Sequence, residues 1–176
     1  DILYRFSDKE GGFFVSKRVE DILGYKADHL MENPFIWNDS IHPEDKRAVN
    51  DAISEANKGG SFDIEYRIKD ADNRWRWFRD RSIGNVSKAG DVVFEGLASD
   101  ITEKKLAEQA VADSRRQLND IIEFLPDPTW VIDIEGRVIA WNLAMERLTG
   151  IEKEQIIGKG EYAYAIPFYG EPRPLL

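Results

Sequence analysis

The strongest structural signal in this chain is the alternation of apolar and polar residues between Phe62 and Lys69. Every second residue is apolar (Phe62, Ile64, Tyr66 and Ile68), and charged residues separate them. A period of two places the two sets on opposite faces of a β-strand, one of which is expected to be buried. Turn residues then introduce two further strands, at 75–83 and 92–101. The sequence therefore predicts a three-stranded antiparallel meander.

The segment before the meander predicts one hairpin and several helices. Runs of aromatic and branched residues at 2–6 and 13–15 flank a Gly-rich turn at 8–12, which is typical of a β-hairpin. Ser16 is the predicted N-cap of a short helix that ends at Gly24. A longer helix is predicted to begin around Pro43, because proline suits the first helical turn. Five strands and these helices give an α+β domain of about 100 residues, an ordinary domain size.

A long helix is predicted from Thr102 to Leu125, because this segment has no Gly or Pro and Pro126 follows it. Its apolar and small residues are spaced alternately four and three apart, as in a heptad seam: Ala107, Val111, Ser114, Leu118, Ile121 and Leu125. We expect Val111, Leu118, Ile121 and Leu125 to form a dimer contact. The alternative is a face that packs within the chain.

The opening pattern returns after Pro128, with two short apolar runs around a Glu-Gly turn and a helix that ends at Gly150. Gly150 then corresponds to Gly24. The interval between these two glycines is far longer than the period of a short structural repeat, which indicates domain duplication. We predict a first domain at 1–102, a linker helix at 103–125 and the N-terminal part of a second domain at 126–176. The segment is expected to belong to a longer protein.

Composition excludes several classes of function. The net charge of -9 disfavours nucleic-acid binding, which depends on Lys and Arg. The chain has no cysteine, which excludes disulfides, thiolate zinc sites and thiol nucleophiles. The sequence has no apolar run of membrane-spanning length and no signal peptide, so we expect a cytoplasmic segment without membrane contact.

Catalytic motifs are also missing. The sequence contains no GxxxxGK, HExxH or GxSxG pattern, and its carboxylates fall at turns and helix ends. We therefore predict no catalytic residue, no metal ligand and no enzymatic activity for this segment. The function is expected to be binding or signalling.

Three local patterns resemble the PAS family with its PAC motif. Glu65-Tyr66-Arg67 and the run from Arg76 to Arg81 resemble the paired strands of the PAC region. Asp100-Ile101-Thr102 resembles the D-I-T motif that joins the last strand to a signalling helix. Three further runs resemble the start of a second PAS domain: Asp133-Ile134-Glu135-Gly136-Arg137, Trp141-Asn142 and Leu148-Thr149-Gly150. The resemblance implies a five-stranded antiparallel sheet with helices on one face.

This resemblance also implies a role. Such segments are sensory and dimerisation modules, so the parent is expected to be a sensor histidine kinase, or alternatively a cyclic-dinucleotide enzyme. A homodimer through the linker helix and the PAS domains and an effector domain in the same chain are the expected partners. The relay is expected at Asp100, Ile101 and Thr102, with an arginine such as Arg67 or Arg79 pairing with Asp100. A simple helix cap at the same residues is an alternative that is compatible with this role.

Ligand residues are less well defined by the sequence. Phe14, Phe35, Trp37, Tyr66 and Trp77 are candidates for a pocket between sheet and helices, although the same aromatics are also typical of a core. Without cysteine a thiol-flavin adduct is excluded. The resemblance also disfavours haem, because haem-binding members of the family supply an axial histidine from the long helix. Here His42 stands at the very start of that helix, where a residue of helix entry is expected, and His29 lies in the earlier helical region. A small organic ligand, a flavin without an adduct and a scaffold without any ligand remain open.

Overall fold

The computed structural model describes residues 1–7, 11–33, 35–57, 60–88 and 91–174. Residues 8–10 of the predicted turn at 8–12, and residues 89–90 of the predicted turn at 87–91, lie outside the described residues. The chain divides into two compact units, Asp1–Ala107 and Glu108–Leu176.

The first unit contains one five-stranded antiparallel sheet. Its strands are β1 (Ile2–Ser7), β2 (Gly11–Val15), β3 (Asp63–Lys69), β4 (Trp75–Lys88) and β5 (Asp91–Asp100). They lie side by side in the order β2-β1-β5-β4-β3, with each neighbouring pair antiparallel. The predicted meander is confirmed, and β5 brings it back against the opening hairpin.

Four helices connect the hairpin to the meander. They are α1 (Arg18–Leu23), α2 (Ala27–Glu32), α3 (Phe35–Ser40) and α4 (Lys46–Ala56). Gly24 ends α1 with a left-handed backbone, as predicted. The N-cap prediction for Ser16 is wrong: Lys17 precedes the helix, and the Ser16 hydroxyl instead accepts a hydrogen bond from the Leu3 amide. Ser16 thus fastens the hairpin.

The core of the first unit lies between one face of the sheet and these helices. Strand residues that alternate along β3 and β4, such as Tyr66, Ile68 and Phe78, are buried against Val19, Leu23, Leu30 and Val49. The alternation seen in the sequence therefore identifies the inner face correctly. Burial of this apolar surface is the main stabilising term for such a unit.

A helix of 23 residues, α5 (Thr102–Phe124), follows β5 directly. The second unit then contains the two-stranded sheet of β6 (Trp130–Ile132) and β7 (Val138–Trp141). Helices α6 (Leu143–Thr149), α7 (Lys153–Ile156) and α8 (Ile166–Tyr169) follow, with a 3-10 turn before α8. Gly150 ends α6 with a left-handed backbone, as Gly24 ends α1. The long helix is confirmed, and the predicted return of two strands and a helix after Pro128 is present as β6, β7 and α6.

Candidate ligand cavity and helix junction

A cavity of about 130 Å³ lies inside the first unit, between the inner face of the sheet and the helices. Most of its wall is apolar, with side chains from both layers: Leu30, Trp37, Val49, Ile53, Phe62 and Phe94. Tyr4, Tyr66 and Asp80 supply polar groups to the same wall. An apolar cavity with a few convergent polar groups is the usual form of a small-molecule site.

Asp80 is the centre of a buried hydrogen-bond network in this wall. Tyr4 Oη donates to Asp80 Oδ1 at 2.7 Å, and Tyr66 Oη donates to Asp80 Oδ2 at 2.9 Å. Trp37 Nε1 in turn donates to Tyr66 Oη at 2.9 Å. Helix α3, and strands β1, β3 and β4, therefore meet through one connected set of polar groups.

Burial raises the pKa of Asp80 to about 6, although the hydrogen bonds from Tyr4 and Tyr66 lower it. A carboxyl group loses the hydration of its charge when it is buried, which favours the protonated form. The pKa values of Tyr4 and Tyr66 are raised by burial and by the charge of Asp80, so both hydroxyls stay protonated. Near neutral pH the cavity wall therefore carries a carboxylate held by two neutral donors.

The predicted aromatic site residues do not all come together. Trp37 and Tyr66 line the cavity. Phe14 and Phe35 are 44% and 71% exposed and lie outside the cavity wall. Trp77 alternates with the buried Phe78 and so lies on the outer face of the sheet. The structure thus brings two of the five candidates to one site.

Sequence reasoning missed the polar centre of the cavity. Asp80 lies two residues after Phe78 and so falls on the inward face of β4, at a position where an apolar residue is expected. A carboxyl group at an inward position of a strand is a signal that alternation can reveal. Tyr4 carries no such signal, because its partner is 76 residues away.

The start of α5 is fastened to β4 by three residues of the D-I-T segment. Thr102 N–H donates to Asp100 Oδ1 at 2.9 Å, while Trp77 N–H donates to Thr102 Oγ1 at 2.9 Å. Ile101 N–H donates to the Trp77 carbonyl at 2.9 Å. Asp100 therefore holds the helix start, and Thr102 and Ile101 attach that start to the strand next to Phe78.

The arginine partner of Asp100 is Arg76, which differs from the prediction. Arg76 Nη1 donates to Asp100 Oδ2 at 3.1 Å, and Arg76 Nε donates to the buried Asp70 at 3.0 Å. Arg76 lies on the same face of β4 as the buried Phe78, two residues later. Because Phe78 is paired with Asp100 on β5, the Arg76 side chain reaches the end of β5. The expectation that Arg67 or Arg79 pairs with Asp100 was wrong.

Arg67 and Arg79 have other partners. Arg67 makes two hydrogen bonds to Asp45 and one to Glu44 through its guanidinium group, which fastens β3 to the start of α4. Its guanidinium carbon also lies 5.5 Å from the ring centre of Trp77. Arg79 pairs with Asp63 on the neighbouring strand, with both side chains partly exposed. Neither arginine contacts the junction carboxylate.

Lys105 adds a contact between the first turn of α5 and the outer face of the sheet. Its Nζ lies 2.6 Å from Glu65 Oε2 and 5.4 Å from the ring centre of Trp77. A cation over an indole face is a favourable arrangement. Trp77 thus contacts the helix start through both its backbone and its ring.

The predicted seam of α5 is exposed within the chain. Val111, Leu118, Ile121 and Leu125 are 70%, 58%, 52% and 39% exposed.

His42 lies at the entry to α4, where its carbonyl accepts a hydrogen bond from the Lys46 amide, as the helix-entry interpretation expects. Within the described ranges, no group of three or more His, Cys, Asp or Glu residues is placed to hold a metal ion. Nor does any described helix have the length and apolar character needed to cross a membrane.

A five-stranded antiparallel sheet, a cavity under its inner face and a helix that leaves its last strand define an α+β domain. Two family models, both described as the PAS fold, match residues 12–97 and 112–169. The chain belongs to the PAS family, and the resemblance found in its motifs is confirmed.

Known proteins similar to this chain include sensor proteins and signalling enzymes. The sensor protein FixL of Bradyrhizobium diazoefficiens is 31% identical over 121 residues, which are 68% of this chain and 24% of FixL. The probable diguanylate cyclase DgcE of Escherichia coli is 24% identical over 84% of this chain and 14% of its own length. The chain therefore spans a quarter or less of these two relatives.

A solved structure shows the same likeness. The sensory box histidine kinase/response regulator from Burkholderia thailandensis is 27% identical, with a TM-score of 0.55 over 68% of this chain and 90% of that chain. This chain therefore shares its fold with a solved structure of a protein named as a sensory box histidine kinase/response regulator.

Proposed function

We propose that this segment is the cytoplasmic sensory and dimerisation module of a larger protein, a sensor histidine kinase, and that it has no catalytic activity itself. The observation that carries the proposal is the double attachment of the α5 start to β4, through Trp77 to Thr102 and Trp77 to Ile101. Relatives whose names include sensor and histidine kinase support it. The cyclic-dinucleotide enzyme is the second candidate, supported by the relative named as a probable diguanylate cyclase.

In this proposal a ligand enters the cavity of the first domain and changes the position of β4. Asp80 lines the cavity, and Trp77 holds the helix start only three residues earlier on the same strand. A small displacement of β4 therefore acts directly on the hydrogen bonds of Ile101 and Thr102. Packed elements with two discrete arrangements convert such displacements into larger changes of helix position.

The size of the cavity favours a small organic ligand over a flavin. Sites for drug-sized ligands are usually about 300–1,000 Å³, whereas this cavity measures about 130 Å³. We propose that Trp37 and Tyr66 serve as ligand contacts, with Asp80 between them and Tyr4. A PAS domain without a ligand, acting as an interaction scaffold, is the alternative.

We further propose the division into a sensory domain at 1–102, a signalling helix at 103–125 and the start of a second PAS domain at 126–176. Leu118 and the other seam residues would meet a second copy of the chain in a two-stranded coiled coil. Exposure of all four seam residues supports this role, because a heptad seam facing water leaves apolar surface unburied. The small residues Ala107 and Ser114 weaken the seam, which suits an element that changes position.

Analytical ultracentrifugation over a wide concentration range tests the dimer. We expect a dimer for the unchanged chain and a monomer for Leu118→Lys, which places a charge in the seam. Asn119→Lys is the matched control, since it adds the same residue one position outside the seam and should leave the dimer intact. A monomer at every concentration for the unchanged chain would falsify the paired-helix mechanism.

Native mass spectrometry and absorbance of gently purified protein test the sensing role. A bound small molecule that is lost on denaturation supports a sensory cavity. Protein that is consistently free of any ligand, and that also shows no binding in a screen of metabolites, supports the scaffold instead.

A further inference from the structure

The cavity of the first unit contains a negative charge without a matching cation. Asp80 accepts hydrogen bonds from Tyr4 and Tyr66, both neutral, and no Lys, Arg or His among the described residues forms an ion pair with it. An isolated carboxylate in apolar surroundings is costly to bury, and an opposite charge offsets that cost. The wall of the cavity is therefore electrostatically complementary to a cation.

The other polar groups around the cavity do not supply that cation. Arg5 belongs to the cavity wall, but its guanidinium group forms an ion pair with Glu95. Asn38 is neutral, and Tyr4 and Tyr66 already donate their hydroxyl protons to Asp80. Among the described residues of the cavity wall, no titratable or charged side chain that faces Asp80 therefore pairs with it as a cation.

Asp80 still has room to accept a further donor. An ionised carboxylate offers about four lone-pair positions, of which the two tyrosines use two. The remaining wall is dominated by side chains such as Ile53, Phe62 and Phe94. A ligand that fits must therefore combine one polar end with a hydrocarbon body.

The volume limits that hydrocarbon body to a few carbon atoms. An apolar cavity of roughly 150 Å³ accommodates benzene, and this cavity measures about 130 Å³. A short branched hydrocarbon is suitable in size, whereas a nucleotide or a flavin is too large.

We propose that this cavity binds a small protonated primary amine, with its ammonium group on Asp80 and its hydrocarbon body between α4 and the sheet. This inference rests on the proposed sensing role of the first domain and names the chemical class of its ligand. An ammonium group donates charge-assisted hydrogen bonds, which are stronger than those of a neutral alcohol. A carboxylate ligand is repelled by Asp80.

Three probes with nearly the same branched skeleton test the proposal: isobutylamine, isobutanol and isobutyrate. Each is titrated into the full 176-residue chain at pH 7.5, and backbone amide NMR shifts of Tyr66 and of β4 around Asp80 report binding. We expect the amine to bind roughly tenfold more tightly than the alcohol, as one additional charge-assisted bond allows. Isobutyrate should cause no saturable shift.

Asp80→Asn removes the charge and keeps the shape of the side chain. In this variant we expect isobutylamine to bind no better than isobutanol, whose own affinity should change little. Lowering the pH of the unchanged chain from 7.5 to 5 should weaken the amine and leave the alcohol unaffected, because Asp80 becomes protonated while the amine stays charged. The comparison of probes on the unchanged chain does not depend on how well the variant folds.

Equal binding of amine and alcohol to the unchanged chain would overturn the amine assignment and leave a sensory cavity in place. Absence of binding by all three probes would also overturn it. Neither result decides the proposed function, which the sedimentation and native mass measurements test independently.

Discussion

The ring of Tyr4 lies directly over the backbone of Gly96. The two residues face each other in the β1–β5 ladder, and the space that a Cβ atom at position 96 needs is occupied by the phenol ring. This arrangement lets Tyr4 reach across β5 to the carboxylate of Asp80 on β4. A glycine at position 96 is therefore a requirement of the cavity network.

Gly96→Ala is expected to displace the Tyr4 ring and break its bond to Asp80. We expect the free energy of unfolding of the first unit to fall by about 1–3 kcal/mol, the usual range for an overpacked core site or a buried acceptor that loses a donor. Chemical denaturation measures the change. Gly60→Ala is the control, because a Cβ there meets neighbours only at ordinary contact distances of 3.6 and 3.7 Å.

A double-mutant cycle with Tyr4→Ala separates the clash from other effects. Once the ring is gone, Gly96→Ala should cost much less. An equal cost in both backgrounds would mean that the ring of Tyr4 does not account for the effect.

Asp80→Asn should change the pH dependence of stability. Because the pKa of Asp80 is raised from 3.8 to about 6 in the folded chain, the folded state binds more protons than the unfolded state between these values. Stability contributed by this group is present below about pH 4 and is lost as the pH rises towards 6, amounting to roughly 3 kcal/mol. The difference in free energy of unfolding between the Asn variant and the unchanged chain should therefore shift in favour of the variant by that amount as the pH rises from 4 to 7.5.

Urea denaturation of both proteins at several pH values checks this difference. Comparing the two proteins cancels the contributions of carboxylates such as Asp45 and Asp70, whose pKa values are lowered. A constant difference across the range would contradict a buried, titrating Asp80.

Arg67→Gln should destabilise the first unit more than Arg79→Gln. Both arginines bond to a carboxylate through two nitrogens, Arg67 to Asp45 and Arg79 to Asp63. Arg67 also bonds to Glu44 and contacts Trp77, and its side chain is 26% exposed against 44% for Arg79. An ion pair that is more shielded from water contributes more to stability than an exposed one of the same geometry. A thermal unfolding scan should give the lower midpoint for the Arg67 variant.

This loss should depend on pH in the direction opposite to that of Asp80. The hydrogen bond from Arg67 is the main cause of the lowered pKa of Asp45, despite its partial burial. Stability from the pair is present above the ordinary value of 3.8 and is lost as the pH falls through the lowered pKa. The midpoint difference should therefore shrink in strong acid, and a difference that grows in acid would contradict the assigned pair.

Asn142→Asp should destabilise the second unit. The buried Asn142 amide donates to the carbonyls of Leu125 and Asp127 and accepts from the amides of Thr129 and Met145. A carboxylate lacks the two donors, so two carbonyls lose their partners and face negative charge. We expect a loss of about 2–4 kcal/mol, as for a broken buried network.

Hydrogen exchange of the β7 and α6 amides measures this loss in the second unit alone. Asn119→Asp is the matched control, since the same change on the exposed α5 surface breaks none of these bonds. Protection that is unchanged in Asn142→Asp would contradict the structural role of this amide.

Local regularities in the sequence were enough to determine the strands, the long helix and the repeated domain start. The alternation at 62–69, the absence of Gly and Pro from 102 to 125, and the two helix-ending glycines each act within a few residues of their own position. The D-I-T motif likewise marked the junction, because its bonds connect residues next to the turn from β5 into α5.

Tertiary structure alone decided which residues form the cavity network and which arginine reaches Asp100. Tyr4 and Asp80 are brought together by the passage of β5 between β1 and β4, and Arg76 reaches Asp100 because β4 and β5 are paired in register. Such contacts depend on strand order and register, which no local pattern encodes. The sequence by itself therefore determined the elements and their family, while the assembled sheet decided where the charge of the candidate site lies.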